Sequence, residues 1–339
     1  MRILFQLNKT NQQRQLEKLV WIFPIKLAMY ATAIRNQGNA VIWDGINDGS
    51  FDRIVTTESQ IDIPFLQLPH ADRILTDAFN PKWQNNGNFK YRPGVYIQST
   101  SHCVWGRCTF CSEQGKINEI REVDDVIREI KECKELGAVE IFDDSATFPT
   151  GRWLDEFCKS LLGINVTGSN GEGRIKFGCN LRINSGNWGD NSRINFSLMH
   201  SCGFRMVLFG VESANQKTLD KINKGVKVED IIPTIKKANR AGLEPHIAVM
   251  FGYPWETDTE ALNTLKLVHY LLRKGFAKTA QASFYTPTDG RVNEGHRRYV
   301  KRIYEVGYSP EFWFNKLKDI KNIDDIKYIW RGIKSAFNR

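Results

Sequence analysis

Hydrophobic and polar positions along the chain switch between the period of strands and the period of helices. Residues 2–7 (Arg-Ile-Leu-Phe-Gln-Leu) read as a strand, residues 24–36 as an amphipathic helix opened by Pro24, and residues 40–44 as a second strand after Gly38. A short strand is predicted at 51–55, so the chain opens as β-α-β. Residues 62–90 lose periodicity and gather Pro64, Pro69, Pro81 and Gly87, which predicts a long connection and a boundary near Tyr91. Strands are then predicted at 95–99, 139–143, 175–182, 205–212, 245–251 and 279–285, with a helical pattern in every interval. Six such βα units imply a parallel sheet, open or curved toward a barrel, with its site at the carboxyl ends of the strands. Residues 291–339 read as helical and basic, with Tyr299, Tyr304, Trp313, Tyr328 and Trp330 at roughly helical spacing. The expected class is therefore α/β: a small β-α-β piece with its linker over 1–91, a partial (β/α)6 barrel over 92–290 and a helical extension over 291–339.

Two of the predicted strands carry polar rows. Gly178, Asn180, Arg182 and Asn184 share one face of the third, and Thr279, Gln281, Ser283 and Tyr285 share one face of the sixth. Strands of a covered parallel sheet are usually apolar on both faces, so these rows predict a lumen around a polar ligand. Arg182 suits a carboxylate there; a solvent-facing strand end is the alternative.

Composition narrows the class. With 41% hydrophobic and 12% aromatic residues over 339 positions, disorder and a small disulfide scaffold are excluded. The net charge of +9 comes from 47 basic and 38 acidic residues interspersed along the chain, which describes a mildly basic protein without a dedicated nucleic-acid arm. Pro24, Lys26, Gly252 and Pro254 interrupt the longest apolar runs, so no membrane partner is expected, and the start shows no secretion signal, so the cytoplasm is. Seven cysteines are an odd number; three crowd into nine positions, while Cys133, Cys158, Cys179 and Cys202 stand apart. That usage suits a reducing compartment and a metal site.

The crowded three are Cys103, Cys108 and Cys111, spaced C-x4-C-x2-C directly after the first strand of the βα series. Three thiolates on one loop can each bind one iron of a [4Fe-4S] cube and leave the fourth iron open. Structural zinc is the competing reading, but it needs four ligands, and no second C-x2-C or H-x3-H pair accompanies this one. The loop resembles the cluster loop of the radical S-adenosylmethionine (SAM) superfamily, and its Cys-Thr-Phe-Cys ending most resembles members with an N-terminal cobalamin-binding (B12-binding) domain. The resemblance implies a barrel of the radical SAM type, a [4Fe-4S] cluster whose open iron chelates SAM, and reductive cleavage of SAM to methionine and a 5′-deoxyadenosyl radical. The loop has one residue more than the usual C-x3-C-x2-C, which Gly106 is placed to absorb.

Further motifs support the same resemblance. In Val139-Glu-Ile-Phe-Asp-Asp-Ser-Ala-Thr-Phe148, it puts Asp143 and Asp144 where the SAM amino group is met; capping of the next helix is the alternative. Gly203-Phe-Arg-Met-Val-Leu-Phe-Gly-Val-Glu-Ser213 assigns Glu212 and Ser213 to the ribose hydroxyls, although Ser213 and Gln216 also spell a capping box. Ala248-Val-Met-Phe-Gly-Tyr-Pro-Trp-Glu-Thr257 resembles the fifth strand and its exit turn, with Trp255 in place of a glycine. Val249, Met250 and Phe110 are candidates for the apolar floor under adenine, with core packing as the alternative; Asn180 and Arg182 complete the cofactor-binding set.

At the front, Phe23 to Gly38 followed by Val41-Ile-Trp-Asp44 looks like the start of the family's cobalamin domain. Only about 90 residues precede the barrel, however, and no D-x-H-x-x-G pattern supplies a lower cobalt ligand. The sequence thus reads as a radical SAM enzyme acting by hydrogen abstraction on an unidentified substrate, served by an electron donor such as a flavodoxin or ferredoxin. The alternative within that class is a cobalamin-dependent radical SAM methyltransferase (a transferase). From another class, the basic aromatic tail suggests an RNA-binding protein with a structural metal loop, though no RNA-binding signature is present.

Overall fold

The computed structural model describes residues 1–7, 23–84, 87–164, 174–183, 194–286 and 291–337. At the front, β1 (Arg2–Phe5), β2 (Ala40–Trp43) and β3 (Arg53–Val55) form a parallel sheet in the order β2-β1-β3, with α1 (Ile25–Asn36) crossing between β1 and β2. Residues 62–90 depart from a plain connection. They carry a short helix, α2 (Pro81–Gln84), and send Phe65, Leu68, Ala78, Trp83 and Phe89 into a buried core shared with α1. These side chains fill irregular space around turns, so their burial leaves no periodic trace.

The larger sheet is β4 (Gly94–Ile97), β5 (Glu140–Asp143), β6 (Lys176–Arg182), β7 (Phe204–Glu212), β8 (Glu244–Phe251) and β9 (Thr279–Phe284). All six are parallel and paired in chain order, the arrangement of a partial barrel. The crossovers run through α3 (Val123–Glu135), α4 (Arg152–Ile164), α5 (Phe196–Cys202), α6 (Gln216–Lys221) with α7 (Val228–Arg240), and α8 (Asp258–Arg273). The last is opened by a capping box in which Thr257 Oγ1 accepts from the Glu260 N–H and the Glu260 carboxylate from the Thr257 N–H. Ile141, Cys179, Val207, Ile247 and Val249 bury one sheet face against the helices.

Register fixes what the other face presents. Its lowest layer is Tyr96, Phe142, Gly178 and Met206, the next Asn180, Leu208, His246 and Thr279, and the third Arg182, Gly210, Ala248 and Gln281. The lowest layer is plugged from below. Phe89 packs on Tyr96 at 4.8 Å and Tyr96 on Phe142 at 5.9 Å, so the linker's core and the barrel floor are continuous. Beneath it, Arg205 bridges Glu140 (2.6 Å) and Glu244 (2.7 Å), and Lys90 binds Glu244 (2.8 Å) and Asp325. The lumen therefore closes at its amino-terminal end and is approached from the carboxyl ends of the strands. After β9 follow α9 (Arg297–Arg302), α10 (Pro310–Lys318) and α11 (Ile323–Phe337). Among the described residues, no helix is long and apolar enough to cross a membrane.

Candidate active site

The three-cysteine loop leaves β4 at the open end. Its base is pinned by a Thr100–Ile120 bridge and by the His102 N–H bonding Asn118 Oδ1 (3.1 Å). Gly106 takes φ +54°, and the Gly115 N–H bonds its carbonyl (2.9 Å), so the extra residue of the spacing lies in a left-handed turn closed by a backbone bond. Cys108 is buried, while Cys103 and Cys111 are half-buried, and all are free thiols. Cys103 Sγ contacts Thr147 Oγ1 (3.1 Å), and the Glu113 N–H approaches Cys111 Sγ (3.5 Å). Burial holds the Cys108 thiol above its ordinary range, while the Lys224 and Arg182 cations pull it down.

Those cations belong to the loop's supporting wall. The Arg182 guanidinium lies 4.6 Å from the Trp105 ring centre and donates to the Lys224 carbonyl; Trp105 Nε1 donates to the Asn223 carbonyl (2.7 Å). Gly225, at φ +64°, permits this contact, because a Cβ there would lie 2.2 Å from the Trp105 ring. Lys224 Nζ reaches Glu212 Oε1 (2.8 Å). Glu212 itself sits at φ 63°, where the β7–β8 register shifts, and the pair rests over Gly210, whose absent Cβ would meet Glu212 at 2.8 Å and Lys224 at 2.9 Å. A non-glycine residue held at positive φ over a glycine is costly backbone, of the kind that concentrates at functional sites.

Residues 97–268 match the profile of the radical SAM superfamily, half of the chain. This chain belongs to the radical SAM superfamily. It is 28% identical over 196 residues to a protein of Methanocaldococcus jannaschii provisionally named a methylthiotransferase, covering 55% of this chain and 39% of that relative. It is 29% identical over 243 residues to an uncharacterized methyltransferase of Pyrococcus horikoshii, covering 70% of this chain and 46% of the relative. The chain thus spans less than half the length of these curated relatives. Among solved structures it resembles the radical S-adenosylmethionine methyltransferase TsrM of Kitasatospora setae with tryptophan and a SAM analogue bound, at TM-score 0.48 and 16% identity, covering 63% and 38% of the two chains. It also resembles methylornithine synthase, at TM-score 0.47 and 11% identity, covering 70% and 68%.

The donor set fits a radical SAM cluster. Among the described residues, no three His, Cys, Asp or Glu side chains converge on a single-ion position, which closed tetrahedral zinc would require. A cube takes each thiolate on a different iron and needs no such convergence. A histidine-ligated cobalamin does not fit in the same way. His70 is the one histidine before Tyr91, and it is held between Asp125 (3.2 Å) and Glu132 (2.8 Å) of α3, away from the carboxyl ends of the front sheet.

The side chains expected to meet SAM separate into two groups. Asp144, Asn180, Arg182, Glu212 and Met250 lie on the lumen face or at its mouth. Burial, reinforced by Asp143, pushes the Asp144 carboxyl up to about 7. Asn180 Nδ2 donates to the Ser145 carbonyl (2.9 Å). The other group is packed behind the sheet or consumed locally. Asp143 is wholly buried, accepting from the Ser99 hydroxyl and the Ser145 N–H (2.9 Å), and so shapes the turn after β5. Ser213 is wholly buried as well; its hydroxyl accepts from the Asn215 N–H (3.2 Å) and leaves no surface for a ribose. It does not form the expected capping box either, since Gln216 instead bonds Val226 and Val228. Val249 is in the helix-side core, because neighbouring strand positions point to opposite faces; Phe110 is half-buried against that same core.

Sequence reasoning missed Lys224 and Trp105. The signal was present in the glycines that each requires, Gly210 and Gly225, but a glycine names no partner. At the rim, Tyr253 stacks on Trp255 (5.5 Å) and packs at a tilt against Tyr285 (4.8 Å), and Trp255 Nε1 bonds Thr218 Oγ1 (3.3 Å). Trp255 therefore builds an aromatic wall where the motif usually has glycine.

Proposed function

We propose that this chain is a radical SAM enzyme whose three-cysteine loop holds a [4Fe-4S] cluster and whose lumen holds SAM together with a polar substrate. The observation that carries the reading is the three-thiol loop at the carboxyl end of β4, braced through Trp105 and Arg182 on the Glu212–Lys224 pair. When bound, cluster and SAM supply a 5′-deoxyadenosyl radical that abstracts hydrogen from the substrate. The chain's own residues bind, orient and exclude water. Cys103, Cys108 and Cys111 hold the cluster; Glu212, positioned by its 2.8 Å bond from Lys224 Nζ, offers acceptors to hydroxyl groups. Asp144, whose proton leaves only near neutrality, can meet either an ammonium or a neutral donor. The Tyr253–Trp255–Tyr285 wall with the plugged base restricts water around a reactive intermediate.

In this reading the chain divides at about Tyr91 and Arg291, and seven free thiols suit a reducing, cytoplasmic setting with a flavodoxin or ferredoxin as electron donor. Methyl transfer is the second reading, favoured by the methyltransferase name of the Pyrococcus relative. S-adenosylhomocysteine formed alongside 5′-deoxyadenosine would select it.

The test is spectroscopic. After anaerobic reconstitution the protein should carry iron and sulfide in the proportion of a cube, and the electron paramagnetic resonance signal of the reduced protein should change when SAM is added. Glu212→Gln should weaken SAM binding about tenfold or more while keeping the iron, since it removes a buried charge-assisted hydrogen bond. A reconstituted cluster whose spectrum ignores SAM would contradict the proposal.

A further inference from the structure

The last two helices pack on the end of the barrel opposite the cysteine loop, and both present an apolar stripe outward. In α11, Asp325, Tyr328 and Arg331, three residues apart, face inward. Tyr328 donates to the Gly87 carbonyl (2.7 Å), Arg331 to those of Phe89 (2.9 Å) and Lys90 (3.1 Å), and Asp325 pairs with Lys90. In α10, Asn315 donates to the Arg273 carbonyl (2.6 Å) and Lys316 to that of Lys278. This docking turns Phe314 and Leu317 of α10, and Ile323, Ile326 and Trp330 of α11, away from the protein. The five are between 49% and 66% exposed. On α11 the exposed positions 323, 326, 327, 330 and 334 follow helical spacing, so Lys327 and Lys334 lie on the same stripe as the apolar residues.

The charge around this face is net positive. Two of its nearby acids are paired with cations, Asp324 with Lys327 (3.8 Å) and Asp319 with Lys278 (2.8 Å), while Glu311 accepts from the Ser309 hydroxyl and retains its negative charge. Among the described residues, Lys318, Lys321 and Lys334 have no acidic partner, and Lys318 lies over the Phe314 ring at 4.1 Å. Aliphatic side chains with one tryptophan, edged by long cations that can lift their charge clear of an apolar phase, match the chemistry of an anionic lipid surface. A second copy of the chain would set lysines against lysines. Of the five aromatic residues that suggested RNA in the sequence, Tyr299 is buried, Trp313 and Tyr328 spend their polar atoms on backbone carbonyls, and Trp330 is the one largely exposed.

We propose that the outward face of α10 and α11 seats this protein on anionic lipid bilayers, with the mouth of the lumen pointing away from the membrane. This does not depend on the radical chemistry. The test is co-sedimentation of the full chain with vesicles of phosphatidylcholine and phosphatidylglycerol, against vesicles of phosphatidylcholine alone. Binding is expected with the anionic vesicles, weakening as salt is added, and each of Lys321→Glu and Lys334→Glu should reduce it about fivefold or more. Trp330→Ser, at a position two-thirds exposed, should abolish co-sedimentation while leaving the melting temperature nearly unchanged. No binding to anionic vesicles overturns the proposal, as does binding that Trp330→Ser and the lysine variants leave intact. Trp330-dependent binding of a single-stranded RNA oligonucleotide without vesicle binding would give the face to nucleic acid, and Trp330-dependent self-association without vesicle binding would give it to a second copy; either result also overturns the proposal.

Discussion

Asp144 is the lumen carboxyl whose ionisation is most opposed, since burial and the adjacent Asp143 push it up to about 7 against an unfolded value near ~3.9. A carboxyl raised on folding contributes stability that is fully present below the unfolded value and is lost as pH rises through the folded one. Asp144→Asn should therefore stabilise the protein by about 1–3 kcal/mol at pH 8 relative to the parent, and by almost nothing at pH 4. Thermal melts at the two pH values check this; an equal effect at both would contradict the assignment. Residue identity made Asp144 and Glu212 legible as candidates, because a carboxylate beside a polar row already suggests a ligand. It could not separate them from Asp143 and Ser213, one position away in sequence but wholly buried. The turn after β5 and the β7 irregularity decide that, and both are set by backbone geometry.

At the scale of elements, all six strands of the larger sheet fall where alternation and apolar runs place them, because a covered parallel strand has a strong local signal. The connection over 62–90 lacks such a signal, and its burial arises from turns that fit the barrel floor. The wall behind the cysteine loop is similarly non-local: Trp105, Arg182 and Lys224 come from three separate loop or strand segments. Gly225 holds that wall together, since its φ of +64° and its 2.2 Å approach to the Trp105 ring admit no side chain. Gly225→Val should cost about 2 kcal/mol or more and lower the iron retained per chain after reconstitution. Full iron retention in a folded Gly225→Val protein would show that Trp105 does not support the loop.

For the whole molecule, buried ion networks tie the front piece and the linker to the barrel. Glu129 of α3 accepts from Arg73 of the linker and from Arg121 after the cysteine loop, and all three are buried. Burial opposes its charge, but the two guanidiniums dominate and draw Glu129 down to about 2; the Arg205 and Lys90 cations do the same for Glu244. Carboxylates depressed on folding contribute stability above their unfolded value near ~4.3 that is lost as pH falls toward 2. Stability should therefore drop steeply below pH 4. Glu129→Ala, which leaves buried Arg73 without a carboxylate and Arg121 with Asp125 alone, should cost about 3–5 kcal/mol in denaturant unfolding at pH 7. A loss under about 1 kcal/mol would mean that the network is not a structural tie. No sequence period reveals the pairs that tie the linker to the barrel, because Arg73 lies 56 positions from Glu129 and Lys90 lies 154 from Glu244.

Whether this chain cleaves SAM is tested most directly by anaerobic reconstitution, reduction, addition of SAM and quantification of 5′-deoxyadenosine by mass spectrometry, beside a Cys108→Ala control. Time-dependent 5′-deoxyadenosine that disappears in the control is the result expected here. A fully loaded cluster that produces no 5′-deoxyadenosine, or the same amount without Cys108, would contradict it.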